Sequence, residues 1–157
     1  GAAFGLEQLK KLKNNIKIRQ RNFNEHIKYV KKRSNIFIKP NIDNKIFTAW
    51  LAFPLILKEN LNFSRKELMI FLEKNKVQTR VVFTGNILRQ PGFKNLKSIK
   101  QKKYLNADYI MKNSFLVGLH QGLNFKKIQQ IHYLIDKFLK KHTYLKNTSS
   151  NYCILNE

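Results

Sequence analysis

Leu9, Leu12, Ile16, Phe23, Ile27 and Val30 recur at steps of three, four or seven along the first 33 residues, with Lys and Arg on the remaining faces. That period belongs to one long amphipathic helix, and it fixes the start of the fold. The helix opens oddly. Ala2, Ala3, Phe4, Gly5 and Leu6 are apolar or small, and no capping residue precedes them. The expectation is a helix already under way, continuing from something upstream.

Beyond a polar linker at residues 34–44, which holds Pro40, residues 48–57 are aromatic and aliphatic. Pro54 within them predicts a strand near a sheet edge or bulge. Ser64 and Glu67 form a capping-box pair, so a helix is expected from Arg65 to Lys74, burying Leu68, Phe71 and Leu72. Residues 77–83 read as a second strand. Residues 84–103 form a long, Gly-containing basic loop, and loops of that length in a compact domain are usually functional or disordered. Asn106 is placed to cap a short helix through Met111, and residues 115–119 read as a third strand. Asn124 then caps a last helix with Phe125, Ile128, Ile131, Leu134, Ile135 and Phe138 on its apolar face. From about residue 143 the periodicity stops, which predicts a tail. Helices and strands in this order give an α/β or α+β class, with a small sheet of three to four strands flanked by helices.

Composition bounds the function classes. Hydrophobic residues make up 43% of the 157-residue chain, enough for a buried core and too many for a disordered one. No apolar run is long enough to cross a membrane as a helix, and nothing suggests a membrane partner. The N-terminus has no signal-peptide pattern, and Cys153 is the only cysteine, so a reducing, cytoplasmic setting is the expectation. The net charge of +22 raises nucleic acid as a partner. Against it, Lys outnumbers Arg several-fold, the lysines are dispersed, and abundant Lys, Asn and Ile reflect A/T-rich codons.

No nucleotide-binding, metalloprotease or nucleophile-elbow motif is present. His26, His120, His132 and His142 lack metal-ligand spacing. Two segments remain as candidates. In the first, a strand runs into Thr84-Gly85-Asn86, where Gly85 and Asn86 tolerate positive φ and can expose backbone N–H groups. Arg80 and Arg89 flank it and suit a phosphate or carboxylate, and Gln90 precedes Pro91. The bland alternative is a solvated turn with two surface arginines. In the second, His120 sits between Gly118 and Gly122 at a strand end, where it could reach an anionic ligand or simply be a hydrogen-bonded turn histidine. Trp50 and Phe53 read as core.

The same residues carry a family resemblance. The opening Ala2-Ala3-Phe4-Gly5-Leu6, followed by Arg19, Arg21 and Asn22, resembles the helix after the active site in the DegT/DnrJ/EryC1/StrS sugar aminotransferases, which use pyridoxal phosphate (PLP). Trp50-x-x-Phe53-Pro54, Thr79-Arg80-x-x-Phe83-x-Gly85-Asn86-x-x-Arg89-Gln90-Pro91 and Asn106-Ala107-Asp108-x-Ile110-Met111 narrow it further. So does Phe115-x-Val117-Gly118-x-x-x-Gly122-Leu123. This series is similar to the CDP-4-keto-6-deoxyglucose 3-dehydratase-like branch of lipopolysaccharide biosynthesis, over about residues 2–140.

The resemblance implies the C-terminal small domain of PLP-dependent transferase fold type I, with an interface helix at residues 1–33 and the small domain at 34–142; the tail at 143–157 departs from the family's ending. It implies PLP, or its amine form PMP, in the intact enzyme. The Schiff-base Lys, or the His that replaces it in the dehydratases, lies in a large domain upstream. No lysine here has a matching context, so no catalytic residue is assigned and the chain by itself binds no PLP covalently. Arg80, Gly85, Asn86, Arg89, Gln90 and His120 are the expected substrate-binding residues for a nucleotide sugar. The implied partners are an N-terminal PLP domain, or its separately encoded half, and a second copy in a homodimer. The apolar start of the first helix and one side of the sheet are then expected to be bare. The rival readings are a basic module gripping an anionic polymer through residues 94–103, and a remnant without function.

Overall fold

The computed structural model describes residues 1–43, 45–93 and 104–152. Helix α1, Ala2–Lys31, follows the apolar period. Its inner half is buried at Asn22, Phe23, His26, Tyr29 and Val30, whereas Phe4, Leu6, Leu9 and Leu12 stand exposed. Two residues, Phe37–Ile38, form β1 within the stretch expected to be only linker. β2 is Ala52–Leu57, α2 is Arg65–Lys74 and β3 is Thr79–Val81. Two short 3₁₀ turns, Ile87–Arg89 and Pro91–Phe93, lead toward residues 94–103, which lie outside the described residues. Helix α3, Leu105–Asn113, strand β4, Ser114–Gly118, and helix α4, Phe125–Tyr152, complete the chain.

The sheet has the order β1-β2-β4-β3, and every pairing is antiparallel. This is the α+β form of the expected class. β2 lies between two neighbours, yet Pro54 is not out of place. β1 pairs only with Ile56 and Leu57, so Pro54, opposite Leu116 on β4, has no strand on its other side. A residue with no N–H is tolerated there.

Side chains alternate along β2: Phe53, Leu55 and Leu57 are buried, and the residues between them are half-buried. In register with them, Val117 and Phe115 of β4 face the same core. Onto that face α1 brings Phe23 and Val30, α2 brings Leu68 and Leu72, and α4 brings Ile128 and Ile135. Trp50 stacks on Phe23 with ring centroids 4.3 Å apart, as a core aromatic should. The Ser64–Glu67 capping box is fully formed at the start of α2. Asn124 caps α4 by accepting the Lys127 N–H at 3.0 Å.

The strands are shorter than or offset from expectation, at Ala52–Leu57, Thr79–Val81 and Ser114–Gly118, and helix ends differ too. Asn106 lies inside the first turn of α3 rather than capping it. The helix begins after Tyr104, whose side chain makes no capping bond. Helix α4 runs on to Tyr152, into the stretch read as a tail, because adding a residue to an existing helix needs no new nucleus. Among the described residues no helix is long and apolar enough to cross a membrane.

Candidate functional site

At the end of β3 the chain turns sharply. Gly85 adopts φ +66°, and a Cβ built on it would lie 2.2–2.8 Å from the Met111 side chain of α3. Glycine is therefore required twice, for the left-handed backbone and for the contact. Asn86 is almost fully buried. Its Oδ1 accepts the Leu88 N–H at 3.1 Å, starting the 3₁₀ turn, and its Nδ2 donates to Asp108 Oδ1 at 2.8 Å. Arg89 closes on the same carboxylate with both prongs, Nε to Oδ1 at 3.0 Å and Nη2 to Oδ2 at 2.7 Å. Gln90 donates its Nε2 to the Thr84 carbonyl at 2.6 Å and ties the loop across its base.

Asp108 is the hub of this arrangement. The Arg89 fork, and after it the Asn86 amide, hold its carboxyl down at about 2. α3 is itself fixed from behind, because Arg65 of α2 donates to the carbonyls of Met111 at 2.6 Å and Ser114 at 3.1 Å. The loop frames a hollow of about 370 Å³ lined by Arg65, Phe83, Thr84, Gly85, Gln90 and Met111. Phe83 stands almost entirely exposed beside it at φ +47°.

Of the six residues expected to bind substrate, the structure gathers Gly85, Asn86, Arg89 and Gln90 in this loop. Arg80 and His120 lie apart from the hollow and line a different cleft, by the turn between α2 and β3. Arg89 is not a free cation, since Asp108 occupies its guanidinium. His120 is a hydrogen-bonded turn histidine at one nitrogen: its Nδ1 accepts the Gly122 N–H at 3.1 Å. Asp108 and Met111, seen only as part of the Asn106–Met111 motif, and Arg65 were not read as site residues by reasoning from candidate anion ligands. The available signal was an aspartate in a chain with only 9 acidic residues.

A second polar cluster joins α1 to α4. His26 is fully buried, stacks on Phe53 and meets His132 with Nδ1 and Nε2 2.9 Å apart. Burial, then the neighbouring His132, pushes its pKa down to about 3. His132 is pushed down to about 4, by burial first and by Arg33 second. Next to the pair, the Tyr29 hydroxyl donates to Asp136 at 2.8 Å, and Arg33 clasps the same carboxylate. No group of three His, Cys, Asp or Glu side chains among the described residues is placed to hold a metal. Cys153 lies outside them. For PLP the donor set does not fit: each lysine within residues 1–93 and 104–141 is exposed, and none of these stands in an enclosed site where a Schiff base could be desolvated.

The profile of the DegT/DnrJ/EryC1/StrS aminotransferase family matches residues 1–136. The lipopolysaccharide biosynthesis protein RfbH of Salmonella typhimurium is 33% identical over 137 residues, 87% of this chain and 31% of that protein. The GDP-4-keto-6-deoxy-D-mannose 3-dehydratase of Escherichia coli O55:H7 is 30% identical over 135 residues, 82% of this chain and 33% of that protein. The solved E. coli GDP-4-keto-6-deoxy-D-mannose-3-dehydratase with bound hydrated PLP superposes with a TM-score of 0.73 at 28% identity. The match covers 85% of this chain and 34% of that one. An aminotransferase from Psychrobacter cryohalolentis shares the fold, with a TM-score of 0.78 at 17% identity over 90% of this chain and 38% of that one. The chain thus spans about a third of the length of the curated relatives named here.

Proposed function

This chain belongs to the DegT/DnrJ/EryC1/StrS aminotransferase family, and we propose that it is the small-domain part of a PLP-dependent keto-sugar-nucleotide aminotransferase or 3-dehydratase of deoxysugar and lipopolysaccharide biosynthesis. The family match over residues 1–136 carries the reading. The E. coli relative is a nucleotide-sugar 3-dehydratase, and the solved E. coli enzyme holds PLP.

On this reading PLP, or PMP, is held by a large domain that precedes the small one in the same polypeptide or is encoded separately. The present chain contributes shape. The loop from Gly85 to Gln90, held rigid by Asp108, forms one wall of the nucleotide-sugar pocket, and Arg89 presents its exposed edge there. Residues 1–33 serve as the interface helix, and residues 34–142 as the domain that closes over the substrate. The exposed Phe4, Leu6, Leu9 and Leu12 are the surface that the large domain, or the second subunit of a homodimer, covers.

The coding sequence upstream of Gly1 tests this. A frame encoding a PLP-binding domain is expected, and its Lys or His settles transamination against dehydration. The reading is overturned if no such frame exists and the folded product is a monomer with no saturable binding of a nucleotide sugar.

A further inference from the structure

The cleft that Arg80 and His120 line is a prepared site in its own right. It has a volume of about 510 Å³, within the range of small-molecule pockets, and shares no lining residue with the loop hollow. Lys76 from the α2–β3 turn, Arg80 from β3 and Lys127 from α4 converge on it, and no carboxylate lines it. The ion pairs among the described residues fall on Lys10, Lys28, Arg33 and Arg89, which leaves these three cations without a salt-bridge partner among them. Glu73, the acid that acts on Arg80 through space, is held instead by the N–H and hydroxyl of Thr79.

His120 adds an oriented donor. With Nδ1 accepting from Gly122, the neutral ring carries its hydrogen on Nε2, and that N–H has no partner among the described residues. Gly122 makes the orientation possible, since a methyl there would sit 2.9 Å from the ring's Cε1. Lys76 is a further sign of a built site. It occupies φ +61°, where glycine or asparagine would sit with less strain. Val77, Leu116, Leu123 and Ile131 give the cleft an apolar floor, and the amides of Asn75, Gln78 and Gln130 also line it.

We propose that this cleft binds a small phosphomonoester with an apolar or aromatic body, its phosphate held by Lys76, Arg80, Lys127 and the His120 Nε2–H. A dianion is the charge that three cations and a neutral donor match best, and the body lies on the floor at Leu116 and Leu123. The proposal does not depend on the family reading, because it concerns a different cavity.

Calorimetric titration of the 157-residue chain with phenyl phosphate tests it. Saturable binding at one site is expected, with inorganic phosphate and phenol each at least about tenfold weaker. Arg80→Gln and Lys127→Gln should each weaken phenyl phosphate by about tenfold, while Lys11→Gln, on exposed α1, should leave it unchanged. Lys76→Gly separates binding from folding: it should raise the melting temperature by relieving the backbone, yet weaken binding. Non-saturable binding, an equal loss in Lys11→Gln, or inorganic phosphate binding as tightly as phenyl phosphate would each overturn the proposal.

Discussion

A buried imidazole that cannot take a proton makes a fold sensitive to acid. His26 and His132 have pKa values of about 3 and about 4 in the fold, against an ordinary 6.5. Below pH 6.5 the unfolded chain binds protons that the native chain refuses. Stability is therefore complete above pH 6.5 and falls as pH drops toward 4. The slope approaches about 1.4 kcal/mol per pH unit for His26 and is smaller for the partly exposed His132. Urea midpoints at pH 7 and pH 5 should show the loss, and a His26→Leu, His132→Leu double variant should flatten it. Asp108, held at about 2, titrates well below the window from 6.5 to 4.5. A second residue-scale test concerns Gly85. Its φ of +66° and the Met111 contact both oppose a side chain, so Gly85→Ala should lower stability by about 1–3 kcal/mol in denaturant titration. Gly85 was legible in the sequence as a positive-φ candidate because glycine's freedom is local. That Asp108 would neutralise Arg89 was not, since the two are 19 positions apart and meet only through the packing of α3.

Among the elements, what was legible followed the same division. The capping box of α2 is written in four consecutive residues, and its helix has the expected bounds. Ser64→Ala removes the acceptor for the Glu67 N–H and should cost about 1 kcal/mol, read as a shift in the urea midpoint. β1 could not be foreseen, because two residues carry no period and Phe37–Ile38 is a strand only by pairing with Ile56 and Leu57. The start of α3 was misplaced because Asn106 has the chemistry of a cap, yet the helix begins after Tyr104 and packs against β2 and β4. In α1 only the second half of the apolar period is buried, and the apolar start is bare, as expected of a helix that continues from upstream.

For the molecule as a whole, two features of the surface oppose each other. Phe4, Leu6 and Leu9 are each more than 60% exposed along one end of α1, an apolar face that favours association. The net charge of +22 resists bringing two copies together. Salt decides between them, because the screening length falls from roughly 10 Å at 0.1 M to about 3 Å at 1 M while apolar burial is retained. Self-association should therefore strengthen with salt, whereas binding to a polyanion through the same lysines would weaken. Sedimentation velocity across a salt series distinguishes the two. A double variant, Leu6→Asp with Leu9→Asp, should remain monomeric at every salt concentration and keep its melting temperature, since neither side chain is buried in the isolated fold. If the unaltered chain is also monomeric in high salt, the α1 face has no affinity for itself. That outcome favours the proposed large domain, rather than a second copy, as the surface that covers this face.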